Sequence, residues 1–210
     1  MAETEDHIVF VVDDDRRIRE ALSELLLSFD LRAVTFGSAA EYIAYPKPNV
    51  PSCLVLDVQL PDINGLDLQA QSANLPPIVF ITGHGDIPSS VRAIRAGAID
   101  FLTKPFDQAD LMRAIQAGLA HSRESLHNGA ELAELQRRLS TLTPREREAL
   151  PLIVSGLLNK QSAAKLGISE VTLQIHRGKV MKKMGAESLA ELVRMATALE
   201  IPVTHSRRSR

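Results

Sequence analysis

Cysteine is almost absent: Cys53 is the only one in 210 residues. One thiol excludes an intrachain disulfide and any thiolate-held metal, and its place before an apolar run marks it as an inert core residue. Apolar stretches of the roughly 18 to 20 residues needed to span a bilayer are also lacking. Yet 45% of the chain is hydrophobic, enough for packed cores. Met1-Ala2-Glu3-Thr4-Glu5-Asp6 is acidic and polar, without the basic and apolar regions of a signal peptide, so no export is expected. There is no internal repeat, and the one biased stretch is the basic tail His205-Ser206-Arg207-Arg208-Ser209-Arg210, expected to be disordered.

Net charge is nearly absent too, at −2, but the balance is uneven along the chain. Residues 1–139 carry 12 basic against 20 acidic side chains, or −8, and residues 140–210 carry 12 against 6, or +6. The length suits two modules better than one. The basic module is then the one to meet a polyanion, and the acidic one the one to hold metal and phosphate.

Apolar runs near 8–12, 32–36, 53–57, 77–81 and 99–103 alternate with helical patterns near 16–29, 38–45, 65–72, 87–96 and 107–120. Such a βα series predicts an α/β fold, a five-stranded doubly wound parallel sheet of flavodoxin-like order. The run Ile8–Val12 leads into Asp13-Asp14-Asp15, and Leu54-Val55-Leu56 leads into Asp57. If the two strands are neighbours, Asp13, Asp14 and Asp57 meet at the C-terminal rim of the sheet, where ligands of such folds sit. Clustered carboxylates call for a cation, and an oxygen-only pocket suits Mg²⁺. Thr82 and Lys104 end the fourth and fifth strands and bring a hydroxyl and an ammonium to the same rim. Carboxylate, cation, hydroxyl and lysine together suit an acyl phosphate on Asp57. Taken singly, Asp15 reads as a helix cap, Thr82 as a turn hydroxyl and Lys104 as a surface lysine.

Asp13-Asp14, Asp57, Thr82 and Lys104-Pro105, in this order and each at a strand end, resemble the receiver domain of bacterial two-component response regulators. Leu56-Asp57-Val58-Gln59-Leu60-Pro61-Asp62-Ile63-Asn64-Gly65 is similar to the phospho-acceptor loop, and Gly97–Phe106 to the last strand. Ile81-Thr82-Gly83-His84-Gly85-Asp86 resembles the FixJ branch. The resemblance implies that a sensor histidine kinase phosphorylates Asp57, with Mg²⁺ held by Asp13, Asp14, Asp57 and the Gln59 main chain. It also implies a switch through Thr82 and Phe101 and a homodimer formed on phosphorylation.

The C-terminal module opens with Thr143-Pro144-Arg145-Glu146, a capping-box pattern with proline at the first helical position. Three helices are expected, from Pro144 towards Gly156, from Asn159 to Leu166 and from Glu170 to Met184. Gly167 lies between the last two and Ser169 caps the third, which is a helix-turn-helix pattern. In the third helix Val171, Ile175 or Leu173, Val180 and Met184 are expected to face the core. Arg177, Lys179 and Lys182 have charge and reach for phosphates, Gln174 with Ile175 suits base edges, and Thr172 is expected to join them as a DNA-facing residue. The segment resembles the LuxR-type DNA-binding module of FixJ and NarL regulators through Thr143–Glu146, Gly156, Asn159-Lys160, Leu166–Ser169, Thr172, His176-Arg177 and Met181. Pro151 inside the first helix, Ser162 and Gly178 depart from that pattern.

The expected organisation is a receiver at 1–122, a helical linker at 123–140, an all-α helix-turn-helix domain at 141–203 and a basic tail at 204–210. Ser122–Gly129 is polar and ends in a turn signal, where the linker begins. Leu132, Leu135, Leu139 and Leu142 form one stripe, open as a dimer seam, an interdomain clasp or a helix lying on its own domain. Function then reads as a phosphorylation-activated regulator that binds promoter DNA in the bacterial cytoplasm and activates, with RNA polymerase as a further partner. Two other readings are a phosphorylation-independent regulator and an aspartate-nucleophile phosphatase. The phosphatase lacks its acid/base aspartate, the position two after Asp57 being Gln59.

Overall fold

The computed structural model describes residues 7–72, 74–83 and 87–202. The acidic N-terminus, His84-Gly85-Asp86 and the basic tail lie outside the described residues. The chain divides into two compact units between His127 and Asn128.

The first unit holds β1 (Ile8–Val12), β2 (Arg32–Phe36), β3 (Ser52–Asp57), β4 (Ile78–Thr82) and β5 (Asp100–Thr103). They form one sheet of order β2-β1-β3-β4-β5, and every neighbouring pair is parallel. This is the expected sheet; β1 and β2 have the expected bounds, and β3, β4 and β5 shift by one residue at one or both ends. Because side chains alternate across a strand, β1 feeds two cores. Phe10 and Val12 join Leu54, Leu56 and Phe80 on one face, and Val9 and Val11 join Cys53, Val55, Val79 and Ile81 on the other. Burial on both faces explains why these strands read as unbroken apolar runs. Burial also pushes the Cys53 thiol up to about 12, so it stays protonated and inert.

Between the strands run α1 (Arg16–Ser28), α2 (Ala39–Ala44), α3 (Gly65–Gln71) and α4 (Ile87–Arg95). Asp15, Ser38 and Asn64 cap the first three, each side chain accepting a backbone N–H of the first turn. The helix after β5, α5 (Gln108–Ser140), runs 33 residues without interruption. The turn signal at Gly129 is therefore overridden. One glycine costs about 1 kcal/mol in a helix, and its neighbours Ala130, Glu131 and Leu132 are good helix formers.

The second unit contains the end of α5 and α6 (Pro144–Val154), α7 (Asn159–Leu166), α8 (Glu170–Met184) and α9 (Leu189–Ala198). Its core gathers Leu142, Leu150, Ile153, Leu173, Val180, Met184 and Leu192, with Leu139 packed against it. Two of the four stripe leucines, Leu139 and Leu142, thus lie on their own unit. Leu135 is also buried, whereas Leu132 is 37% exposed. Pro151 sits inside α6 without ending it at that point; the helix closes at Val154, where Ser155 donates both its N–H and its hydroxyl to the Pro151 carbonyl. Gly167 takes φ 65°, the left-handed conformation that stops α7 and opens the turn into α8.

Glu146 closes the expected capping box with Thr143 and is buried, its carboxylate 2.6 Å from Lys183 Nζ at the far end of α8. The Lys183 ammonium, helped by the Thr143 N–H, holds the Glu146 carboxyl at about 2. A carboxyl depressed in the folded state stabilises above its ordinary value of 4.5, and the contribution is lost as pH falls towards 2. Glu146→Ala is expected to destabilise the second unit by about 2 kcal/mol at neutral pH through loss of cap and ion pair. The difference from wild type narrows below pH 4, as urea unfolding across pH would measure.

Candidate functional site

Parallel register brings the acids together. Val12 of β1 lies beside Leu56 of β3, so the next residues, Asp13 and Asp57, emerge side by side at the C-terminal rim. Carboxylate oxygens of Asp13, Asp14 and Asp57 lie within 4.8 Å of one another. Asp13 is fully buried and Asp57 nearly so, while Asp14 is exposed. On the other side, Thr82 pairs with Thr103, and the Lys104 N–H donates to the Thr82 carbonyl at 2.7 Å. Lys104 follows β5, joined to Pro105 by a cis peptide bond. Its Nζ stands 2.6 Å from Asp13 Oδ2 and 2.6 Å from Asp57 Oδ2.

Backbone donors hold the remaining oxygens. Asp13 Oδ1 accepts the Asp15 N–H and Asp57 Oδ1 accepts the Gln59 N–H, both at 2.9 Å. Burial raises the Asp13 carboxyl above the ordinary range, and the nearby Asp57 charge adds to this, against the lowering pull of Lys104 and the Asp15 N–H. Burial works against the Lys104 charge, but the hydrogen bonds to both carboxylates outweigh it and raise its pKa. An open cleft of 520 Å³ lies over the group, lined by Asp13, Asp14, Asp57, Gln59, Gly83 and Lys104 among others. Thr82 is buried at the end of β4, next to Gly83. Phe101 is half-buried, its ring 6.2 Å from Phe80. An all-oxygen donor set around partly buried acids fits a small hard divalent cation.

Three supports of this rim have contacts that the sequence alone does not show. Arg19, a turn into α1, donates through one guanidinium nitrogen to the carbonyls of Asp13 at 2.7 Å and Asp14 at 2.9 Å. Asp62 reaches from the loop after Asp57 to the backbone N–H groups of Ala39 and Ala40 at the start of α2. Desolvation is the largest single influence on the Asp62 carboxyl and raises it, but the backbone N–H groups of Ala40, Ala39, Asp62 and Ile63 together hold it below the usual range. Gly65 opens α3 so close to β3 that a Cβ there would meet the carbonyl oxygen of Asp57 itself. Only the glycine had a readable signal, its place after Asn64 in the acceptor loop.

On α8 the structure settles which side faces inward. Leu173, Val180 and Met184 are buried, and Leu173 rather than Ile175 takes the shared position. Val171, expected in the core, is 68% exposed and Ile175 53% exposed. Core direction is set by Leu173 and Val180, seven residues apart, and Val171 falls on the opposite side. Gln174, Lys179 and Lys182 are exposed, and Arg177 is half-buried. The Thr172 hydroxyl is engaged with Ser169 at 2.8 Å, within the cap of α8.

Residues 9–116 match the model of the response regulator receiver domain, and residues 140–196 that of the bacterial regulatory proteins of the luxR family. The chain belongs to the response regulator family. This regulator is 48% identical to nodulation protein W of Bradyrhizobium diazoefficiens, over 95% of its own length and 89% of that protein's. It is 44% identical to the transcriptional regulatory protein FixJ of Azorhizobium caulinodans, over 90% of each chain. Among solved structures, the response regulator StyR matches with a TM-score of 0.79 at 44% identity, over 91% of this chain and 98% of that one. The regulator thus joins a receiver to a LuxR-type DNA-binding domain, as transcriptional response regulators do. No helix among its described residues is long and apolar enough to cross a membrane.

Proposed function

We propose that Asp57 accepts a phosphoryl group from the phosphohistidine of a sensor histidine kinase. A carboxylate oxygen of Asp57 attacks phosphorus, the P–N bond breaks, and the electron pair leaves with the imidazole. The observation that carries this reading is the Lys104 ammonium held 2.6 Å from both Asp13 and Asp57 at the mouth of an open cleft. Lys104 neutralises one developing phosphoryl oxygen, and the Thr82 hydroxyl hydrogen-bonds another. Asp13, Asp14, Asp57 and the Gln59 carbonyl are the groups that would hold Mg²⁺, which neutralises phosphoryl charge when bound. The Gln59 N–H orients Asp57 through its other oxygen.

Thr82 moving towards the phosphoryl group and Phe101 packing behind it bias a two-state surface built by α4, β5 and the start of α5. That surface then dimerises, and two LuxR-type domains engage paired half-sites in promoter DNA. Gln174 and Ile175 face base edges there, Arg177, Lys179 and Lys182 face phosphates, and Thr172 joins the DNA-facing set from the first turn of α8, its hydroxyl oriented by Ser169. The regulator works in the bacterial cytoplasm as an activator that contacts RNA polymerase, and it has no turnover activity of its own.

The test incubates the full chain with Mg²⁺ and a small acyl-phosphate donor, then reads intact mass and light scattering. One phosphoryl adduct and a shift to dimer are expected, with neither in Asp57→Ala. An adduct of equal yield in Asp57→Ala, or none on the native chain even with a histidine kinase, would overturn the reading.

A further inference from the structure

Val171 and Ile175 are β-branched apolar side chains, one helical turn apart, left 68% and 53% exposed on α8. Leu173, Val180 and Met184 mark the buried side of that helix. At about 100° per residue, the opposite line is taken by Val171, Ile175, Gly178 and Lys182, with Gln174 and Lys179 on its flanks. A face meant only for water would be polar along its most outward line. Here the first three places of that line are two apolar side chains and a glycine, with Lys182 ending it and Lys179 beside it. Glu170 is the single acid of α8. The covering partner is therefore a polyanion that offers apolar spots inside a groove wide enough for a helix.

Duplex DNA meets that description at one chemical group, the C5 methyl of thymine, which lies on the base edge in the major groove. We propose that Val171 and Ile175 read thymine methyls, and that each operator half-site carries two thymines placed for them. Val171 stands in the first turn after Ser169, the cap of α8, and the N-terminal residues of a recognition helix are those nearest the base edges. Four residues of helix rise about 6 Å, so the two thymines fall within about two base pairs of each other. Gly178, where nothing lies within 4 Å of a would-be Cβ, lets the helix backbone come close on the same line. The proposal rests on the reading of this chain as a DNA-binding regulator and adds its sequence preference.

The experiment selects sites from a randomised duplex pool with the full chain, treated with acyl phosphate and Mg²⁺. Each thymidine of the enriched site is then replaced singly by deoxyuridine, which removes only the methyl. Two positions per half-site are expected at which this weakens binding, by about fourfold each. Val171→Ala is expected to abolish the deoxyuridine effect at one of them and Ile175→Ala at the other, with salt dependence unaltered. Both side chains are exposed and alanine favours helix, so the variants stay folded. Enrichment of a site with no methyl dependence, or penalties that neither variant alters, would overturn the proposal alone. Absence of any salt-dependent binding to the pool would overturn the DNA-binding reading with it.

Discussion

Lys104→Met is expected to slow phosphorylation of Asp57 by at least about 100-fold, a loss near 3 kcal/mol of transition-state stabilisation. Methionine keeps much of the apolar stem and removes the ammonium that stands 2.6 Å from both Asp13 and Asp57. The incoming phosphoryl oxygens then meet two carboxylates with one cation fewer between them. Stability should respond as well. The Asp13 carboxyl is already raised by burial, and loss of Lys104 removes its main lowering partner, so it rises further. A carboxyl raised in the folded state contributes stability below its unfolded pKa and loses it as pH rises through the folded value. The variant is therefore expected to fall short of wild type at neutral pH and to approach it in acid. Adduct formation followed by intact mass at saturating donor gives the rate, and a variant within threefold of wild type would remove Lys104 from the chemistry.

Ile94→Glu is expected to weaken the proposed phosphorylated dimer by at least about 100-fold while leaving adduct formation at the wild-type rate. The helix α4 shows Ile87, Val91 and Ile94 at 79%, 42% and 47% exposure, spaced i, i+4, i+7 on one face. Three large apolar side chains in a line are out of place on a surface that stays wet. A carboxylate in the middle of a buried apolar contact has no partner, whereas on the monomer it is solvated and costs little. Affinity for a two-half-site operator should fall with the dimer, by about 100-fold or more, because linked binding is lost. Light scattering of the phosphorylated variant decides the matter; a dimer as tight as the wild type's would place the interface elsewhere.

Much of this molecule was readable from its residues because the signals are local. Strands buried on both faces spell themselves as apolar runs, and a parallel sheet puts whatever follows them on one rim, so Asp13, Asp57, Thr82 and Lys104 could be assembled on paper. The cap of α6 was equally plain from Thr143-Pro144-Arg145-Glu146. Ser188 and Glu191, three apart at the start of α9, carry the same kind of local signal. Contacts made across the fold left no such mark. Asp62 gripping the start of α2 and Arg19 holding two carbonyls of the rim depend on where distant backbone arrives. Val171 went to the wrong side because a valine in a helix reads as core, and only the positions of Leu173 and Val180 show that its own side is outward.

The end of α5 bears on how such regulators can be recombined. Arg138 donates to the Met184 carbonyl at 2.9 Å, so it caps α8, and Arg147 of α6 donates back to the Leu139 carbonyl at 3.1 Å. Leu139 and Leu142 sit in the core beneath the same helices. A gene fusion that joins a foreign receiver at the first residue of α6 would therefore leave behind part of the portable module, including the group that closes α8. The second compact unit begins upstream, at Asn128 within α5, and a graft cut there carries its own foundation with it.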